Sequence, residues 1–399
     1  MAHPTFRLGL IADDLTGASD AAVQFARRGW EAVLVLSAVA RSTHPSSGVT
    51  RRSLGEGGEV IAVTTDCRAL DNATAERLTA DAVAHLVEAG IDRIYLKIDS
   101  TMRGSVPGQI AGALSVWRKK YPDAAAVVCP AYPRMGRTVV DNRLLVDGRP
   151  VEQSAIGRDP VTPVTTSDLA ALIPGARHLD GPAEAGHYVL LGDGPAEAGP
   201  HDVLAKDGHA FLGTQSASIV TVDAGTDDQL AAIASAVAAA GPRIIAVGSA
   251  GLADAMAAVW SGPIPAVPGG VRREPDQNRR ILIQVTSLNP VSHAQIAKLA
   301  QVFPDVVVLT GRAEEVAVDL ADRVEREQWN VLGLIGGDGA RAALHLLGAS
   351  AIRIVDALLE GIPRGVIVGG RADGMPIFTK AGGFGAEDAL VRVVERLRN

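Results

Sequence analysis

The chain has 399 residues, 47% of them hydrophobic and 21% charged, with a formal net charge of −7 at neutral pH. That length exceeds one ordinary hydrophobic core and points to two domains, while the negative balance and the 4% aromatic content exclude nucleic-acid binding as the main task. Cys67 and Cys129 are too few for a disulfide framework or a Cys-rich zinc site. The N-terminus lacks a charged leader with an apolar stretch, and no apolar run approaches the roughly 18 residues of a membrane span, so the expectation is a cytoplasmic protein with no membrane partner.

Taken in order, Phe6–Ala12 reads as a short buried strand that runs into two adjacent carboxylates, Asp13 and Asp14. Thr16, Gly17 and Ser19 follow as a turn, and helical spacing runs from Asp20 to Gly29. Glu31–Ser37 is a second strand, and residues 41–59 read as a polar, Gly/Ser-rich surface insertion. A strand at Val60–Thr65 ends at Asp66, Cys67 and Arg68; a helix spans 73–90, a strand 92–98, a helix 109–119 and a strand 124–129. From Pro130 to Asp168 periodicity fades and polar chemistry gathers, with hairpin character around Asp147-Gly148. Residues 181–204 hold a two-copy GPAEAG repeat, read as a second insertion with His187 and His201 incidental. Strand, helix, strand and helix recur over 218–260, and residues 262–279, rich in Pro, Gly and charge, make the linker. A further α/β unit over 280–399 is expected to hold strands at 280–286 and near 305–309, 330–335, 352–355 and 365–369, closing on an amphipathic helix at 386–398. The fold class is therefore α/β, two domains with mainly parallel sheets, the first spanning 1–261 and the second 280–399.

Three stretches carry the chemistry. Neighbouring ionised Asp13 and Asp14 repel each other and call for a cation, at the strand edge where open α/β folds bind ligands. The alternative is that Asp14 or Thr16 only caps the helix. In Lys97-Ile98-Asp99-Ser100-Thr101-Met102-Arg103-Gly104 an ammonium inside an apolar strand needs a partner, and Arg103 offers a fork suited to carboxylate or phosphate. Of Arg134, Arg137, Arg143 and Arg149 in the 130–168 stretch, Arg137 beside Gly136 is the candidate; the others read as a solvated face. In the second domain, Leu332–Ala340 (LGLIGGDGA) and Lys380–Gly385 (KAGGFG) are Gly-rich turns able to cradle phosphate oxygens, the second with an amine for charge neutralisation. No P-loop and no dinucleotide fingerprint occurs, and the run around Ser249 lacks the register of a hydrolase elbow. A small-molecule kinase suits these features best.

These residues also carry a resemblance. IADDLTGASD (11–20), KIDSTMRG (97–104), CPAYPRMGRT (129–138), GSAGLA (248–253), LIGGDGA (334–340) and TKAGGFG (379–385) together resemble, almost end to end, the four-carbon acid sugar kinase family, whose members act on threonate, erythronate or 3-oxo-tetronate. The resemblance implies ATP and Mg²⁺ as cofactors, phosphorylation of the terminal hydroxyl of a small sugar acid, and a ligand cleft between the two domains. It further implies that Asp13, Asp14, Lys97 and Arg103 are catalytic, that Asp99, Ser100 and Arg137 bind the acid, and that Ser287, Gly336, Gly337, Asp338, Gly339, Lys380, Gly382 and Gly383 bind the nucleotide, with the metal ligands unassigned. A homodimer is compatible with it. The chain departs from the family pattern at Thr286, where a Gly precedes the serine, and at Gly339, where a hydroxyl residue is usual. Those departures carry the competing reading, a non-catalytic sugar-acid-binding or regulatory protein.

Overall fold

The computed structural model describes residues 7–36, 58–179, 188–190, 210–212, 218–261 and 276–399. The expected insertions and the linker therefore lie largely outside the described residues. Two compact units form: Met1–Asp13 with Thr65–Pro263, and Asp14–Thr64 with Ile264–Asn399. The division falls between the two adjacent aspartates. Among the described residues, no helix is long and apolar enough to cross a membrane.

The first unit is built on a parallel sheet in the order Arg7–Ala12, Arg93–Lys97, Ile244–Gly248, Ala125–Cys129, Ile219–Val222 and Arg177–Leu179. Its strands are short, apolar and almost wholly buried, as expected of a sheet covered on both faces. Ala12 pairs with Lys97, Lys97 with Gly248, and Gly248 with Cys129, so four strands end in one row. The loops that follow them, beginning at Asp13, Ile98, Ser249 and Pro130, leave from the same edge.

Helices Asn72–Glu88 and Val106–Lys120 pack together through glycine. A β-carbon at Gly108 or Gly112 would stand 2.2 Å from the carbonyl oxygen of Asn72 or Glu76, so only glycine permits this approach. Helix Asp227–Ala240 starts in a capping box between Thr226 and Gln229. The hairpin character near Asp147-Gly148 is realised in a small antiparallel sheet of Arg137–Val140, Arg143–Val146 and Arg149–Pro150. Both of its turns, Asp141-Asn142 and Asp147-Gly148, hold positive φ at the two central positions, the geometry that matches hairpin twist.

In the second unit Val307–Thr310, Ile281–Val285, Val331–Ile335 and Pro376–Lys380 are parallel neighbours in that order. Ile362–Val368 and Ala351–Leu359 continue the sheet as an antiparallel pair, followed by Glu31–Val35 and Glu59–Thr64. Here Val285, Ile335 and Lys380 share one row, so the loops starting at Thr286, Gly336 and Ala381 leave one edge. The amphipathic closing helix forms at Ala389–Arg398, its Leu390, Val393, Val394 and Leu397 lying in one buried cluster with Ile281, Ile283 and Phe378.

Two local expectations are corrected. The first helix begins at Leu15, not Asp20, because the Asp14 carboxylate accepts the backbone N–H of Gly17 at 2.9 Å and starts the helix five residues early. The strand Pro376–Lys380 is not anticipated from sequence, because five residues between glycines show too little alternation to separate a strand from a turn. Replacing Gly112 with Ala is expected to destabilise the protein by about 2 kcal/mol, the usual cost of forcing extra volume into a packed contact. A urea denaturation midpoint unchanged by G112A would show that the two helices separate without cost.

Candidate functional site

At the edge of the first sheet, Asp13 is fully buried and held in a two-toothed pair by Arg68, whose Nε donates to Oδ2 at 2.8 Å and Nη2 to Oδ1 at 2.7 Å. Arg68 Nη1 also lies 3.6 Å from Asp99 Oδ2. Asp99 is gripped in turn by Arg103, through Nε at 3.2 Å and Nη2 at 2.7 Å, and by the backbone N–H and hydroxyl of Thr101. Arg103 Nη1 reaches Asp159 Oδ2 at 3.3 Å. The result is an alternating row of charges, Asp13, Arg68, Asp99, Arg103 and Asp159.

Burial alone would raise the Asp99 carboxyl, but the guanidiniums of Arg103 and Arg68, with the Arg103 and Thr101 hydrogen bonds, outweigh it and hold Asp99 well below the usual carboxylate range. The facing carboxylate raises Arg103 above its ordinary value. The arginine side chains are 20% and 26% exposed, against 0% for Asp13 and 9% for Asp99. Asp13 and Asp99 are thus the deeper groups, while Arg68, Arg103 and Asp159, the last 24% exposed, form the outer side of the row, where a planar guanidinium fork can face an incoming carboxylate.

Lys97 ends its strand buried and donates to the Ile98 carbonyl at 2.8 Å; Ser100 is buried beside Asp99 in the same loop. Arg137 is half-buried. Burial pushes its guanidinium down, opposed by Asp147 and Asp99, with Arg103 adding repulsion, so this side chain shares the field of the same cluster. Gly136 makes room there: a β-carbon would stand 2.1 Å from Asp147 Oδ1. Arg134 instead pairs with Asp227 and Asp254, as a solvated face should. Ser249 is structural. Its hydroxyl donates to Ala131 O at 2.6 Å and accepts Gly251 N–H at 3.0 Å, tying a helix start to the neighbouring loop.

Sequence reasoning missed Arg68 as a site residue, although its position just past a strand end was the available signal. It also missed Asp147 and Asp159, which sit in loops without periodicity. Met102 and Asp66 adopt positive φ beside these arginines, strain of the kind that concentrates at functional loops.

In the second unit the three loops leaving the shared strand row fit into one another. A β-carbon at Gly382 would stand 1.8 Å from Ser287 Oγ, one at Gly383 3.1 Å from Asn289 Nδ2, one at Gly336 2.8 Å from Thr286 Oγ1, and one at Gly339 2.3 Å from the same hydroxyl. Polar atoms of residues 286–289 thus occupy the places where side chains of both Gly-rich turns would be. Helix Pro290–Val302 secures the second turn from behind: Ser292 Oγ donates to Gly382 O at 2.8 Å, and Gln295 Nε2 donates to the carbonyls of Phe384, Gly385 and Ala386. Ser292 and Gln295 were not legible as site residues, being ordinary polar positions on a helix.

Gly336, at φ 101°, opens helix Gly337–Leu346 with no side-chain cap, and Asp338 stands exposed in its first turn. Asp14 Oδ2 lies 3.3 Å from where a Gly337 β-carbon would be, while its carboxylate also takes the Thr16 hydroxyl at 2.6 Å. Asp14 is therefore both a helix cap and a neighbour of the glycine turn. Lys380 is fully buried, and its ammonium donates to the carbonyls of Ala381 and Gly382 at 2.9 and 3.1 Å. Burial pushes it down to about 7. Among the described residues no group of three or more His, Cys, Asp or Glu side chains could hold a metal ion.

The chain matches two family models, a sugar-binding N-terminal domain over residues 8–256 and a nucleotide-binding C-terminal domain over 226–390. It is 34% identical to a D-threonate kinase of Bordetella bronchiseptica, with 98% of this chain and 97% of that protein covered. It is 28% identical to a D-threonate kinase of Salmonella typhimurium (96% of each) and 29% identical to a D-erythronate kinase of Heliobacterium modesticaldum (97% and 96%). A solved Bordetella bronchiseptica structure, described as a domain-swapped dimer with bound citrate, matches at TM-score 0.51 and 34% identity over 99% of both chains. A Salmonella typhimurium structure shares the fold at TM-score 0.68 and 18% identity, over 97% of this chain and 98% of that one. The protein is an α/β protein whose chain matches a sugar-binding and a nucleotide-binding domain model in succession. It belongs to the four-carbon acid sugar kinase family.

Two measurements follow from the geometry. Arg68→Ala removes the two-toothed partner of a buried carboxylate and is expected to cost about 3 kcal/mol in urea denaturation, with Arg68→Lys intermediate; equal stability of R68A and wild type would refute the pairing. For Lys380 the folded value lies near 7 and the unfolded value near 10.5, so the unfolded chain holds more protons between them and stability rises with pH across that window. The burial penalty is fully present below about 7. Lys380→Met is therefore expected to raise Tm at pH 6.5, with the gain shrinking toward pH 9.5. A gain that grows with pH would contradict the burial assigned here.

Proposed function

We propose that the protein is an ATP-dependent kinase that phosphorylates the terminal hydroxyl of a four-carbon sugar acid of the threonate, erythronate or 3-oxo-tetronate type. The observation that carries this reading is Lys380, a fully buried ammonium that donates to two carbonyls of a Gly-rich turn. Burial brings this amine down to about 7, and an anionic ligand beside it would favour its charged form, while the interleaved loops at 286–289, 336–339 and 381–385 offer the backbone donors that phosphate oxygens take.

In this reading the N-terminal half binds the acid and the part from about residue 280 binds the nucleotide. Arg68, Arg103 and Arg137 receive the carboxylate, with Asp99 orienting the first two and Ser100 and Lys97 completing the loop. Asp13, whose two oxygens both accept from Arg68, anchors that guanidinium. Asp14, whose Oδ2 lies 3.3 Å from a β-carbon position at Gly337, supports a role as the carboxylate that serves the reacting hydroxyl, and its hard oxygens suit Mg²⁺. The metal, when bound, neutralises phosphate charge; the protein contributes positioning and electrostatic stabilisation, on which phosphoryl transfer chiefly relies. Ser287, Gly336, Gly337, Asp338, Gly339, Gly382 and Gly383 line the phosphates. The homodimer is carried over as part of the same proposal.

The test is ADP release with ATP and Mg²⁺ against a panel of D- and L-threonate, the erythronates and 3-oxo-tetronates. Turnover on one of these acids is expected, with Asp14→Asn reducing kcat by about 100-fold or more and leaving both KM values within about threefold, as loss of an interaction made in the transition state does. Thermal stabilisation by an acid without any turnover would replace this reading with a binding protein.

A further inference from the structure

Gly339 does not owe its identity to backbone conformation, since it lies in a helix and lacks the positive φ that marks Gly336. Space decides it. An alanine β-carbon there would meet Thr286 Oγ1 at 2.3 Å, Thr286 Cγ2 at 2.4 Å and Gln284 Nε2 at 2.5 Å. The two obstacles differ. Gln284 is fully buried with both amide atoms unpartnered, so it is the end of a flexible side chain that no hydrogen bond holds in place. Thr286 is β-branched, stiff at its first torsion and within one residue of the strand end. It is the obstacle that cannot give way.

From this packing we propose that Thr286 is a positioning residue of the nucleotide loops, acting through Gly339. Its γ-methyl and hydroxyl fill the volume a side chain at 339 would take. They thereby set the spacing between the end of the Ile281–Val285 strand and the first turn of the Gly337–Leu346 helix. The same hydroxyl stands 2.8 Å from a β-carbon position at Gly336, so one side chain gauges both ends of the GGDG turn. The Thr286 hydroxyl lies 3.4 Å from Ile335 O, too long for a strong hydrogen bond, which places the effect in shape and not in polarity. The functional side of the proposal rests on the nucleotide reading above.

The experiment is a double-mutant cycle on the full chain with T286G, G339A and T286G/G339A, plus T286V as the isosteric control. Three readouts are taken: urea denaturation, direct ADP binding by calorimetry, and separate KM values for ATP and the sugar acid. G339A is expected to weaken ADP binding by about tenfold or more and to lower the denaturation midpoint; T286G is expected to raise the ATP KM by about fivefold with the sugar-acid KM within about twofold. The double variant is expected to bind ADP within about threefold of wild type, and T286V likewise, since shape is retained. Additive losses in the double variant, or T286V as damaging as T286G, would overturn the proposal. Should the wild-type protein bind no ADP, the kinase reading fails, and the denaturation cycle alone decides the packing: coupling between the two sites sustains it and additivity ends it.

Discussion

Parallel pairing fixes where the chemistry of this protein can be. Strands hydrogen-bonded in one register row finish together, and each of the two units has such a row: Ala12, Lys97, Gly248 and Cys129 in one, Val285, Ile335 and Lys380 in the other. Residues separated by more than a hundred positions in the chain leave the sheet at one edge because the backbone ladder leaves them no other exit. A register slip of one residue would turn every side chain of a strand to the opposite face and carry its loop out of line with its neighbours, so the packing of the buried strands and the position of the site loops are held together.

Upon that frame the two units handle charge differently. The first buries acids and pairs them: Asp13 and Asp99 are removed from water only because Arg68 and Arg103 come with them, each through a planar fork. The second buries a cation, Lys380, among carbonyl oxygens and lets desolvation lower its proton affinity. An ion-pair row is stable without a ligand. A buried ammonium answered only by carbonyls is held at a cost that its lowered proton affinity reflects.

Glycine plays a spatial role in the second unit that composition alone does not reveal. Gly336 needs its positive φ, but Gly339 and Gly382 are glycine because Thr286 and Ser287 stand where their side chains would be. The loops are interleaved, so a substitution in one is felt in another. The charge row of the first unit behaves in the same way, since Arg68 touches both the 11–20 and 97–104 signatures.

Much of this was legible beforehand. Short β-branched runs alternating with helical spacing determined the α/β class, and the dense polar signatures at 11–20, 97–104 and 334–340 marked strand ends, because local propensity and short-range chemistry are properties of neighbouring residues; the 379–385 turn was legible, but the strand Pro376–Lys380 that leads into it was not. What lay beyond reach depends on residues distant in sequence. The partnership of Arg68 with Asp13, 55 positions away, is of this kind. So is the antiparallel pairing of Glu31–Val35 with Ala351–Leu359, which groups residues 14–64 with the C-terminal part of the chain. Asp13 and Asp14, indistinguishable as a sequence motif, were assigned different tasks by the fold: one answers a guanidinium, the other caps a helix beside a glycine turn. Residue type and spacing decide which groups are available, but only packing decides which charge each of them meets.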